Sequence, residues 1–278
     1  MNESKEHKGV IYYNIGFGSF VRLAVSLVSC RRVYSGPLTV LCDSISFQDC
    51  YKLKELVPNL DVLEIPHTHS PRSVLLGKCR LAEYTPYETS IFIDADTVVL
   101  NDFTDLFNWI ERYDFAVAEF SNWRTIQRRI ARRIKDWAVI YPEKIEAALE
   151  DRPAINTGTF GFKKTSELMR DWYGIAEKGR AFFIPDETAC QLILPEYKHI
   201  IVSSSYNVSC KHDTISDTSK ILHFHGRKHC RLDGKTYLYN SNIWYNELKN
   251  IKDIEVIKDH INNDRQLRRY YKQWISLL

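Results

Sequence analysis

Short runs of β-branched and aromatic residues alternate along this chain with longer stretches in which apolar residues recur every three or four positions. Residues 10–13, 38–41 and 62–65 are bounded by glycine, proline or charge and predict strands, since such runs suit a buried pleated segment. Residues 20–33, 47–57 and 72–84 carry the helical period instead, and the last of these leads into the apolar run Ile91-Phe92-Ile93. A β-α-β-α-β-α-β series with short connections predicts an α/β fold, a mainly parallel sheet with helices on both faces. The second half is less regular. Strands are predicted over 115–118, 156–162, 200–202 and 221–224, and helices over 126–140, 165–177 and 187–194. With no repeat, low-complexity tract or linker, the economical division is one domain over 1–235 and a helical extension over 236–278.

A chain of 278 residues can bury a full core without staples. Its seven cysteines are odd in number, dispersed and without a C-x-x-C pair, so neither a disulfide framework nor a zinc knuckle is indicated. A reducing cytosol is the simplest compartment. Residues 1–8 are charged with no apolar region behind them, and no stretch approaches the roughly 20 apolar residues of a membrane span, which predicts a soluble, cytoplasmic protein.

The net charge of +3 says little by itself, but positive charge concentrates in two segments. Over 124–137, Ile126, Ile130, Ile134 and Trp137 recur at helical spacing and predict the arginines on the outer face. Over 265–278, Leu267, Tyr271, Trp274 and Leu278 form a stripe beside Arg265, Arg268, Arg269 and Lys272. Such a tail suits peripheral contact with an anionic membrane or a nucleic-acid backbone, and equally a terminal helix docked on the core.

The candidate chemistry centres on Ile91-Phe92-Ile93-Asp94-Ala95-Asp96-Thr97-Val98, where a buried strand ends in two carboxylates. Carboxylates there cost desolvation free energy unless a cation or hydrogen-bond donors compensate them, and hard oxygen ligands suit Mg²⁺ or Mn²⁺. In parallel sheets ligands bind beyond the carboxyl ends of the strands. One reading is a cation that bridges the diphosphate of a nucleotide-sugar and stabilises it as it leaves. A second is the haloacid-dehalogenase phosphatase motif, with Asp94 as nucleophile and Asp96 as acid/base. That motif usually opens its domain and needs a downstream acidic pair, whereas here three βα units come first and no Asp-Asp follows. A catalytically silent nucleotide-sugar or glycan-binding module, or two solvated aspartates at a turn, are the remaining alternatives.

The segment Lys78-Cys79-Arg80-Leu81, Tyr87 and residues 91–100 resembles the core of GT-A glycosyltransferases of the family-8 type, the glycogenin and bacterial lipooligosaccharide galactosyltransferase group. The same order continues through Asn156-Thr157-Gly158, Asp186-Glu187 and His223-Phe224-His225-Gly226-Arg227-Lys228, so the resemblance spans residues 10–230. It implies a GT-A fold and metal-dependent transfer of a sugar from a nucleotide-sugar, most simply a UDP-sugar, to a hydroxyl acceptor with retention. The acceptor is not legible, and a glycan, glycolipid, protein or nucleic acid would each serve.

Residue by residue, the resemblance assigns Asp94 and Asp96 to the metal, Asp94 also to the donor, and His223 as third ligand with His225 as competitor. An imidazole beside two carboxylates moves preference from Mg²⁺ toward Mn²⁺. Lys78 would face the donor phosphates or sugar, the Asn156 amide and Asp186 would meet sugar hydroxyls, and Gly158 would let the backbone approach closely. Glu187 stands where the family usually carries glutamine, near the anomeric carbon, where a carboxylate could stabilise oxocarbenium charge or act as nucleophile. Pro185-Asp186-Glu187 is also an ordinary helix start. The family's H-x-x-G-x-x-K and Pro-Trp are altered: after Gly226 the lysine comes one position early and Pro-Trp is missing, so Lys228 or Arg227 would neutralise the departing phosphate. Tyr13 and Asn14, with Asp43, are the candidates for the base and ribose.

Overall fold

The computed structural model describes residues 7–67, 72–120, 123–149, 153–210, 213–224, 242–264 and 267, with the backbone alone over 123–129. Its centre is a seven-stranded sheet in the order β3 (Leu60–Glu64), β2 (Leu38–Cys42), β1 (Lys8–Asn14), β4 (Thr89–Ile93), β7 (Ile155–Lys163), β6 (Phe115–Glu119), β8 (Ile200–Val202). The first four strands pair in parallel, as the βα series predicts. β7 enters between β4 and β6 antiparallel to both, and β8 returns parallel to β6. A second sheet of three short strands, in the order β5 (Thr97–Val99), β10 (Ile221–His223), β9 (Val208–Ser209), stands at the carboxyl end of β4.

Both faces of the large sheet are covered, and side-chain alternation divides them. Val10, Tyr12, Ile91 and Ile93 point into one core with α1 (Phe20–Val33), whereas Ile11, Tyr13 and Phe92 point into the other with α8 (Glu167–Lys178) and α9 (Pro185–Ile193). Full burial of side chains such as Phe20, Phe92, Phe160 and Trp172 contributes roughly 1.5–3 kcal/mol each. α10 (Asn242–Lys249) and α11 (Glu255–Asn263) lie against α1, and their Trp244, Leu248, Ile257 and Ile261, with Leu267, belong to the first core. The His260 ring on α11 stacks on Phe20 at 4.2 Å, and its Nε2 lies 2.9 Å from Asp49 on α2 (Phe47–Lys52).

Two predicted helices differ in detail. The stretch 72–84 divides into α3 (Ser73–Lys78) and α4 (Leu81–Tyr84), with the Arg80 guanidinium between the Tyr84 and Tyr173 rings at 5.5 and 5.2 Å. Gly77 is required in α3 because a Cβ there would lie 1.9 Å from the Tyr13 hydroxyl. The stretch 126–140 is α6 (Trp123–Asp136) continued by a 3₁₀ turn. The short elements β5, β9, α5 (Leu106–Tyr113) and α7 (Ile145–Leu149) were not anticipated, because two to eight residues are too few to show a period. Among the described residues, no helix is long and apolar enough to cross a membrane.

Candidate active site

Asp94 and Asp96 occupy the turn between β4 and β5, and neighbouring strands hold that turn in place. The Asp94 N–H donates to the Gly158 carbonyl on β7 at 2.8 Å, and the Thr97 hydroxyl donates to the Asp94 carbonyl at 2.9 Å. β10 pairs with β5 so that His223 faces Thr97, and the Phe224 N–H donates to the Asp96 carbonyl at 2.9 Å. This pairing brings the imidazole to the carboxylates: His223 Nε2 lies 3.4 Å from Asp96 Oδ1 and 3.7 Å from Asp94 Oδ2. One ligand atom from each of the three residues lies within 4.8 Å of the others, a separation that a single cation can span. Gly158 makes room for the ring, since a Cβ there would stand 2.2 Å from the His223 imidazole.

Behind the cluster lies Lys78, buried at the end of α3. Its Nζ donates to Asp94 Oδ2 at 3.0 Å and to the Thr157 carbonyl at 3.3 Å, and stands 3.7 Å from Asp186 Oδ2. Asp186 and Glu187 open α9, where Pro185 at the first helical position is preorganised for the helix. Ile184 before it adopts φ +49°, a left-handed conformation costly for a β-branched residue. The Trp172 indole donates to the Asp186 carbonyl at 2.8 Å, while Asp186 Oδ1 is buried with no hydrogen-bond partner among the described residues. Glu187 is held by Arg133 of α6, whose Nη1 donates to Glu187 Oε1 at 3.0 Å.

Burial sets the electrostatics. It raises the pKa of Asp186 above the ordinary carboxylate value despite Lys78, and that of Glu187 despite Arg133. Asp94 is likewise raised, because desolvation outweighs Lys78 and His223. For His223, burial lowers the pKa, but the hydrogen bond and charge of Asp96 together with the charge of Asp94 carry it above the usual histidine value. Four ionisable groups are thus held more protonated than in an unfolded chain, the condition a divalent cation would reverse.

These residues line a cleft of about 520 Å³, whose wall also includes Tyr13, Arg22, Asn156 and the apolar Phe120 and Phe183. Of the residues singled out in the sequence, Tyr13, Lys78, Asp94, Asp96, Asn156, Gly158, Asp186, Glu187 and His223 converge on it. Asn14 does not line it: its side chain bonds Ser19 and the Gly16 carbonyl within the β1–α1 loop. Asp43 is also turned to that loop, accepting from the N–H groups of Gly16 and Ser46. His225, Gly226, Arg227 and Lys228 lie outside the described residues, as do Arg265, Arg268, Arg269, Lys272 and Trp274.

Two charged cleft residues were not anticipated. Arg133, expected on the outer face of α6, points inward because it follows Ile130 by three positions and shares its face; Arg132 alone of that pair is exposed. Arg22 sits in the first turn of α1, where the sequence signal was a cation at a helix start that carries no acid.

The sequence matches no protein-family model, and no curated protein resembles it by sequence. Solved structures do resemble it. The bifunctional glycosyltransferase WbbM aligns over 94% of this chain at TM-score 0.60 and 11% identity, and the chain spans 52% of WbbM, about half its length. The galactosyltransferase LgtC, in complex with donor and acceptor sugar analogues, aligns over 79% of this chain and 88% of its own at TM-score 0.58 and 11% identity. The glycosyltransferase GlyE of Streptococcus pneumoniae TIGR4 aligns over 87% of this chain and 61% of its own at TM-score 0.61 and 11% identity. At such identities the likeness is one of fold, and the fold is that of the GT-A glycosyltransferases.

Proposed function

We propose that this protein is a metal-dependent glycosyltransferase that moves a sugar from a nucleotide-sugar, most simply a UDP-sugar, to a hydroxyl acceptor with retention. The observation that carries the reading is the Asp94–Asp96–His223 cluster opening onto a large cleft at the carboxyl edge of a GT-A sheet. Two carboxylate oxygens and one imidazole nitrogen fit a divalent ion that keeps open positions, with Mn²⁺ favoured over Mg²⁺. Such an ion, when bound, supplies Lewis-acid stabilisation of the nucleoside diphosphate leaving group.

The protein's own residues would orient the donor. The buried Asp186 Oδ1 accepts from nothing among the described residues, and a sugar hydroxyl placed in the cleft would satisfy it. Lys78 holds Asp94 and Asp186 in one arrangement, so metal end and sugar end are linked through one ammonium group. Arg133 offsets part of the cost of burying the Glu187 carboxylate, whose pKa burial still raises, and holds that group at the cleft wall. Lys228 or Arg227 would neutralise the departing phosphate, and the basic tail would serve a membrane-bound or nucleic-acid acceptor.

The test is hydrolysis of UDP-sugars in the absence of acceptor. The parent should release sugar in the presence of Mn²⁺ and lose that activity with chelator, and Asp94→Asn and Asp96→Asn should lower it by at least about a hundredfold with the fold retained, the scale of removing a metal's charge stabilisation. Release of phosphate from a phosphomonoester would favour the phosphatase reading instead. Donor binding without turnover would leave a binding module.

A further inference from the structure

The cleft carries a cation that the reading above does not use. Arg22 lines it beside the D-x-D turn, with only 15% of its side chain exposed. One guanidinium nitrogen, Nη2, donates to the Gly18 carbonyl at 2.8 Å. The other, Nη1, stands 3.7 Å from Asp96 Oδ2, beyond ordinary hydrogen-bond length, and the buried Nε has no partner among the described residues. The other two cations of the cleft among the described residues are committed: Lys78 to Asp94 and Thr157, Arg133 to Glu187. Arg22 therefore has donors to spare at the place where the candidate metal ligands are.

Helix stability does not explain the residue. A cation in the first turn opposes the helix dipole, and the first turn of α1 contains no acid to offset it. Ion pairing with Asp96 explains it only in part, because the contact is long while a guanidinium pairs best with two short parallel bonds. An anionic oxygen in the cleft would accept from Nη1, whose contact with Asp96 is long.

We infer that Arg22 binds the diphosphate of the donor, as a cation standing beside the Asp96 carboxylate. The inference rests on the nucleotide-sugar reading and deepens it: part of the phosphate charge would be met from the first helix, by the guanidinium of Arg22. The same side chain stands against Asp96, so it competes with a cation for that carboxylate while attracting the phosphates. Its removal should therefore weaken diphosphate affinity without weakening metal affinity, which a merely structural arginine would not do.

Calorimetry on the full chain separates these effects. Mn²⁺ alone, then UDP, ADP and GDP with Mn²⁺ present, and uridine as the phosphate-free control would each be titrated into the parent, Arg22→Gln and Arg22→Lys. For Arg22→Gln we expect diphosphate affinity weakened by at least about tenfold, the scale of a charged hydrogen bond. Mn²⁺ binding should be unchanged or tighter, and uridine binding unchanged. Arg22→Lys should fall between, and it makes the same comparison if Arg22→Gln does not fold. Diphosphate binding equal to the parent in the folded variant, or Mn²⁺ affinity that falls in step with it, overturns the assignment alone. A parent that binds none of the three diphosphates overturns the glycosyltransferase reading and this assignment with it.

Discussion

At the scale of single residues, the site is built from charges that would be unfavourable if any one stood alone. Lys78 is buried but touches two carboxylates, and Glu187 is buried but touches Arg133. Removing one member of such a pair costs more than removing both, because the survivor remains desolvated without compensation. Arg133→Met should therefore lower unfolding free energy by roughly 3 kcal/mol in urea titration, while the double variant with Glu187→Gln recovers most of that loss. If the single variant is as stable as the double, Glu187 does not depend on Arg133. This pairing was half legible in the sequence: Asp186-Glu187 stood out as acids at a helix start, but only the folded chain shows which arginine of the basic segment turns inward.

At the scale of elements, strand pairing rather than strand content assembles the site. β4 ends at the acidic turn, β7 provides Gly158 beside it, and β10 returns about 125 residues later to lay His223 against Thr97. The central strands were legible because each is a compact apolar run, whereas β5 and β9 are too short to declare themselves. α10 and α11 bear on the boundary expected at 235. Trp244, Leu248, Ile251, Ile257 and Ile261 are at most 3% exposed and share a core with α1. At roughly 1.5–3 kcal/mol each, their combined loss is comparable to the whole stability of a domain, about 5–15 kcal/mol. A chain ending at 235 should thus fail to give a cooperative melt, and one ending at 264 should melt sharply. A folded 1–235 fragment would make the remainder an appendage.

For the molecule as a whole, protonation and folding are coupled through the cleft. Asp94, Asp186, Glu187 and His223 all have pKa values raised above their ordinary values, so the folded chain binds more protons than the unfolded one. Their contribution to stability is complete below the ordinary carboxylate range and is lost as pH rises through their folded values, which lie above the ordinary carboxylate and histidine values. Asp102 and Asp171 are lowered by hydrogen bonds from Thr104 and Arg170, and act only below that window. In chelator, melting temperature should fall between about pH 5 and about pH 8, Asp186→Asn should flatten the fall, and added Mn²⁺ should stabilise increasingly with pH, since its ligands must be deprotonated. A melting temperature that rises across this range in chelator would refute the coupling. Periodicity and residue type, both local properties, determined the α/β class, the order of the central elements and the acidic turn at the end of β4. Contacts between distant segments were decided only by tertiary structure: the insertion of β7 against the parallel strands, the approach of His223, the inward face of Arg133, and the placement of Arg22 beside Asp96. Local sequence can specify which face of a strand or helix is apolar, but which charged group meets which depends on how those faces close over one another.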